Sequence, residues 1–127
     1  MNPRKLIIGV MCGCFLSISV CMAGDAAEST RPILEKLLDA VEEKEYADFV
    51  AGGSDDFKAG LSPQTFEGVS EQLRPRMKMG YETSYLGNLQ QQGLKVYLWK
   101  LSYKDGGDDT LAKLVLENGK VAGFWLQ

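Results

Sequence analysis

Histidine is absent from this 127-residue sequence, and cysteine is confined to positions 12, 14 and 21. Without histidine, neither a Ser-His-Asp nor a Cys-His nucleophilic system can be assembled, and His/Cys zinc sites are excluded as well. Basic residues are in deficit, with 14 Lys and Arg against 17 Asp and Glu. That balance argues against nucleic acid as a partner, because such binding depends on neutralising phosphates. The one basic cluster, Arg74, Arg76 and Lys78, reads as a solvated helix end. There is no internal repeat, no low-complexity tract and no cofactor motif. Only one apolar run is long, and it stands at the N-terminus.

That run has the form of an export signal. Arg4 and Lys5 precede an apolar stretch from Leu6 to Val20, and Cys21-Met22-Ala23 places small residues at the −3 and −1 positions before Gly24. The expectation is a signal peptide over 1–23, cleavage before Gly24 and a periplasmic or secreted product. The alternative is a lipoprotein anchored through Cys21, although Val20 is a poor match to the small residue that normally precedes a lipidated cysteine. Cleavage after Ala23 removes every cysteine, so the exported domain has to hold together without a disulfide. It leaves 12 basic against 17 acidic residues. No membrane association is expected after cleavage unless Cys21 is lipidated.

Residues 24–31 are small and polar and read as a disordered tail. A single domain over 32–127 follows. Ser29 or Thr30 can cap a helix carrying Pro32 in its first turn, with Ile33, Leu34, Leu37, Leu38 and Val41 as its apolar stripe. Tyr46, Phe49 and Val50 suggest a short second helix that Gly52-Gly53 ends. Ser54 to Gly60 reads as a polar loop. Its Asp55 and Asp56 lack the alternating oxygen ligands and distal Glu of a calcium loop. Ser62-Pro63 opens a further helix striped by Phe66, Val69, Leu73 and Met77, with Pro75 disrupting its last turn.

The remainder, Tyr81 to Gln127, reads as four antiparallel strands. Asn118-Gly119 is a type I′ hairpin signal, bracketed by Glu117 and Lys120 as a cross-strand pair. Counting outward from the turns puts Tyr85 opposite Trp99 and Tyr81 opposite Tyr103. It also puts Trp99 opposite Leu114, Ala112 opposite Trp125, and Lys100 opposite Lys113, an unfavourable like-charge pair. One face then gathers Tyr81, Tyr85, Tyr97, Trp99, Tyr103 and Trp125. The other carries Leu86, Leu94, Val96, Leu98, Leu111, Val115, Phe124 and Leu126, and is the face the helices are expected to cover. The fold class is α+β, with N-terminal helices packed on a four-stranded antiparallel meander.

Three pieces carry a family resemblance: Leu37-Leu38-Asp39-Ala40-Val41 leading to Tyr46 and Phe49, then Leu61-Ser62-Pro63-Gln64-Thr65-Phe66, then Gly119-Lys120-Val121-Ala122-Gly123-Phe124. Over roughly 32–127 the chain resembles the nuclear transport factor 2-like superfamily, with its cystatin-like α+β fold, and small exported bacterial domains within it. The resemblance implies a curved sheet whose concave side forms a pocket or a dimer interface. No catalytic residue carries over from the ketosteroid-isomerase-like members, because no motif aligns with theirs.

With these residues a non-catalytic role is favoured over an enzyme. Tyrosine or carboxylate acid–base chemistry remains open to the sheet tyrosines and to Asp105, Asp108 and Asp109, but the acidic trio has the composition of an ordinary hairpin turn. The first expectation is an exported scaffold or binding module. It would self-associate as a homodimer through Tyr81, Tyr85, Tyr97, Trp99, Tyr103 and Trp125. The alternatives are a carrier or enzyme with a pocket for a small apolar ligand on that face, and an inhibitor of an extracellular enzyme.

Overall fold

The computed structural model describes residues 25–127. The expected signal peptide over 1–23, its cleavage before Gly24 and the alternative anchor Cys21 lie outside the described residues. The chain divides into two units, 1–32 and 33–127, and the site considered below belongs to the second.

Helix α1 covers 25–43, so residues 25–31 are helical where a disordered tail was expected. Ala26, Ala27 and Glu28 are good helix formers. Ser29 and Thr30 do not cap; each donates its hydroxyl back to the Ala26 carbonyl, the bond these side chains make inside a helix. From Ile33 onward Leu34, Leu37, Leu38 and Val41 are buried, as their spacing demands. Lys44 ends the helix at φ 62°, where the Glu45 N–H returns to the Ala40 carbonyl.

Three further helices follow: α2 (Tyr46–Ala51), α3 (Asp55–Gly60) and α4 (Pro63–Lys78). Helix α3 corrects the loop expected over 54–60. Ser54 accepts a hydrogen bond from the Phe57 N–H, and Asp55 and Asp56 occupy the first turn, where carboxylates favour the helix dipole. Helix α4 begins at Ser62, which caps the Thr65 N–H, and runs through Pro75 to Lys78. Pro75 therefore removes one backbone bond without ending the helix. Phe66, Ser70 and Met77 are its buried positions. The Ser70 hydroxyl donates to the Val41 carbonyl of α1.

The sheet is an antiparallel meander ordered β1 (Tyr81–Gln91), β2 (Leu94–Tyr103), β3 (Thr110–Glu117) and β4 (Lys120–Leu126). Helices followed by this four-stranded meander make the α+β architecture read from the sequence. Tyr81 opposes Tyr103, and Tyr85 opposes Trp99. Asn118 and Gly119 take φ 52° and 78°, and Glu117 opposes Lys120.

Leu86 is an extra residue in β1, between Tyr85 opposite Trp99 and Gly87 opposite Leu98, and two further departures from the simple count affect β3 and β4. The β2–β3 loop is longer than expected, so Trp99 opposes Ala112 rather than Leu114, and Leu98, not Lys100, opposes Lys113. This two-residue shift keeps side chains on their faces and separates the like charges. The second departure is a bulge in β4. Leu116 opposes Val121 as counted, but Val115 opposes Gly123, leaving Ala122 as the extra residue. Beyond it Trp125 opposes Lys113, and Leu126 opposes Ala112. One inserted residue exchanges the two faces of a strand. Trp125 therefore leaves the aromatic face, and Phe124 and Leu126 join it.

Helices cover this aromatic face, not the aliphatic one as the sequence suggested. Trp99, Leu101, Ala112 and Leu114 are all 0 % exposed. Phe49 of α2 packs against Phe124 with ring centroids 5.9 Å apart. The Arg76 guanidinium of α4 lies 3.8 Å from the centre of the Tyr103 ring. The aromatic side chains lie under the helices because they bury the most apolar area per residue.

Candidate binding surfaces

The six aromatic residues singled out by pattern divide five to one. Tyr81, Tyr85, Tyr97, Trp99 and Tyr103 lie on the helix-covered face. Trp125 stands on the outer face and is 53 % exposed. Trp99 is sealed, with the Tyr85 ring edge-on at 5.2 Å. Tyr85 is half-buried, and its hydroxyl accepts from the Asn88 amide at 2.9 Å. Tyr103 is buried, and its hydroxyl donates to Thr110 Oγ1 at 2.8 Å. Tyr97 is half-buried opposite Leu114. Trp99 and Tyr103 are thus part of the interior, while Tyr81, Tyr85 and Tyr97 stay half-buried at its margin.

The polar groups around this row are poorly suited to acid–base chemistry. Burial raises the Tyr81 hydroxyl to about 12, and the carboxylates of Asp39, Glu42 and Glu35 add to the shift. At neutral pH it is held protonated, far from the value a general base needs. Asp105 is engaged by Arg76, whose Nε and Nη2 reach its two oxygens at 2.7 and 3.2 Å while Nη2 also donates to the Asp108 carbonyl. Asp105 further accepts from the Gly107 N–H at 2.8 Å. The Arg76 hydrogen bond, reinforced by the Gly107 N–H, holds the Asp105 carboxyl below its usual range. This clamp ties α4 to the β2–β3 loop and gives the acidic turn a structural occupation.

A cleft of about 400 Å³ opens between α2, α3, α4 and the β4 edge. Its walls include Phe49, Phe57, Phe66, Phe124 and Leu126, with Thr65 and Asp56 among the few polar lining residues. The aromatic walls are mutually packed: Phe49 lies 4.9 Å from Phe66 and 5.8 Å from Phe57, centre to centre. Gly53 lets Phe57 approach, since a Cβ there would meet the ring at 2.4 Å. The first residues of β4 are closed off by the preceding chain, because Val121 exchanges hydrogen bonds with Gly52 and Ser54. Beyond that point Phe124 and Leu126 border the cleft. Sequence pattern misses this site because it places Phe57 in a loop and Phe124 and Leu126 on the other face. The Ser54-Asp55-Asp56 capping signal was the available clue to α3.

The outer face of the sheet is arranged in rows across the strands. Leu89, Val96, Val115 and Gly123 form one, Gly87, Leu98, Lys113 and Trp125 the next, and Ser84, Lys100 and Leu111 a third. A shallow concavity floored by Val96 and Val115 lies beside Trp125. Among the described residues no group of three or more His, Cys, Asp or Glu could hold a metal ion, and no helix is long and apolar enough to cross a membrane.

No protein-family model, curated protein or solved structure matches this chain.

Proposed function

We propose that this protein is an exported, non-catalytic binding module that holds a small apolar ligand in the cleft beside β4. The observation that carries the reading is the wall of four phenylalanines, 49, 57, 66 and 124, around a space of about 400 Å³. A cleft of that size and chemistry is typical of small-molecule sites, where a few polar groups orient a mostly apolar ligand. Asp56 and Thr65 at the cleft are the polar groups available to do so. Neither forms the nucleophile–base pair that a catalytic reading would need. A nuclear transport factor 2-like module would place its pocket in the same general region, between helices and sheet.

The test is titration with a neutral apolar fluorophore such as N-phenylnaphthylamine, comparing the native chain with Thr65→Trp. Thr65 is exposed at the start of α4, so the indole fills the cleft without disturbing the core. The expected result is saturable one-to-one binding that Thr65→Trp abolishes while circular dichroism and melting stay unchanged. Equal binding by both proteins, or none by the native chain, overturns the reading.

A further inference from the structure

We propose that the outer face of the sheet docks an acidic amphipathic helix from a partner protein. Its apolar stripe would lie on Leu98, Leu111 and Trp125, and its carboxylates on Lys100 and Lys113.

The charge pattern selects the partner. Lys100 and Lys113 occupy the middle of the face, set among Leu98, Leu111 and Trp125. Neither makes an ion pair with another described residue; the ion pairs of this domain involve Lys44, Arg76 and Lys78. The carboxylates of this face, Glu82 and Glu117, stand toward its ends, opposite Ser102 and Lys120. Trp125 is 53 % exposed on this face and Leu98, Leu111, Lys100 and Lys113 are half-buried; two cations without an ion pair among apolar groups are complementary to a surface that brings apolar groups and carboxylates together.

The geometry of a sheet face selects a helix. Backbone N–H and C=O groups of the strands are paired within the sheet plane, so the face offers none to an incoming chain. An occupant must therefore satisfy its own backbone, as a helix does. Four strands spaced about 4.8 Å apart span roughly 15–20 Å, room for one helix about 10 Å across. Lys100 and Lys113 are diagonal cross-strand neighbours, about 7–8 Å apart. Carboxylates at i and i+4 on a helix are separated by about 6 Å of rise, which flexible lysines can meet.

Two other occupants fit less well. A second copy packed face to face would bring four lysines into one desolvated patch, a like-charge arrangement that opposes association. An anionic membrane presents its charge as a fluid headgroup layer, with no carboxylates held at a fixed spacing beside an apolar stripe to match Lys100 and Lys113 among Leu98, Leu111 and Trp125.

The probe is a synthetic amphipathic helical peptide with a leucine stripe flanked by glutamates at i and i+4, beside a counterpart with lysines in their place. Binding to the intact chain is followed by the anisotropy of a fluorescent label on the peptide. The acidic peptide is expected to bind and the basic one not, with affinity falling as salt rises. The double variant Lys100→Glu/Lys113→Glu, whose folding is checked by circular dichroism, should lose about tenfold or more for the acidic peptide and gain the basic one. Equal binding of both peptides, no binding of either, or no effect of the double variant overturns the proposal. So does a concentration-dependent dimer abolished by the same variant. Binding to anionic vesicles by a chain that ignores the acidic peptide also overturns it.

Discussion

Trp125 folds its indole back over Gly123, so closely that a Cβ at Gly123 would meet the ring at 2.4 Å. The side chain lies flat on the outer face because the residue beneath it has no side chain of its own. Gly123 is the residue that follows the bulged Ala122, which is what turns Trp125 outward.

Gly123→Ala should displace the ring, the free end of a flexible side chain, and leave the strand in place. Trp125 emission is expected to shift to longer wavelength, with the melting temperature changed little. A large loss of stability without a spectral change would show that Gly123 serves the backbone instead.

Much of the fold is legible in the sequence, for reasons that can be named. Asn118-Gly119 fixes one hairpin because only such residues accept two successive positive φ values. Tyr81 and Tyr85 find Tyr103 and Trp99 because two features offset each other: the two-residue Gln92-Gly93 turn, with φ 53° and 79°, would alone set Tyr85 opposite Lys100, and the inserted Leu86 moves it back to Trp99. The faces are harder. Leu86 and Ala122 are inserted residues with no compositional mark, and a single insertion reverses every later side chain. The β2–β3 loop is likewise set by a tertiary contact, the hold of Arg76 on Asp105 and the Asp108 carbonyl. The cleft could not be read because it needed both α3 and the β4 bulge.

Ser70 ties two helices together from inside the core. Its hydroxyl, 0 % exposed, donates to the Val41 carbonyl. Ser70→Ala removes this donor, while the Val41 carbonyl keeps the Lys44 N–H, and is expected to cost about 0.5–1.5 kcal/mol in urea unfolding. Ser70→Thr, which keeps the hydroxyl, should recover stability only so far as its extra methyl can be packed. An Ala variant as stable as the native chain would show that the bond contributes nothing.

The pH dependence has two ends. The Asp105 carboxyl is lowered by Arg76, so its contribution is present above the ordinary carboxylate range and is lost as pH falls through the folded value. Asp105→Asn should therefore unfold more readily than the native chain at neutral pH, with the gap closing in acid. Tyr81 is raised to about 12, so stability declines as pH rises from about 10, its ordinary value, through the folded value. Ultraviolet titration should show a tyrosinate component near the upper value that Tyr81→Phe removes. Identical titration curves for the two proteins would contradict the assignment.

The account rests on Trp99 lying in the sealed interior and Trp125 on the open face, which acrylamide quenching of single-tryptophan chains tests most directly. With Trp125→Phe, the remaining Trp99 should emit at short wavelength and resist the quencher. With Trp99→Phe, the remaining Trp125 should emit at long wavelength and be quenched readily. Ready quenching of Trp99 in a folded Trp125→Phe chain would contradict the account, returning the aromatic row to the surface and removing the basis for both proposed sites.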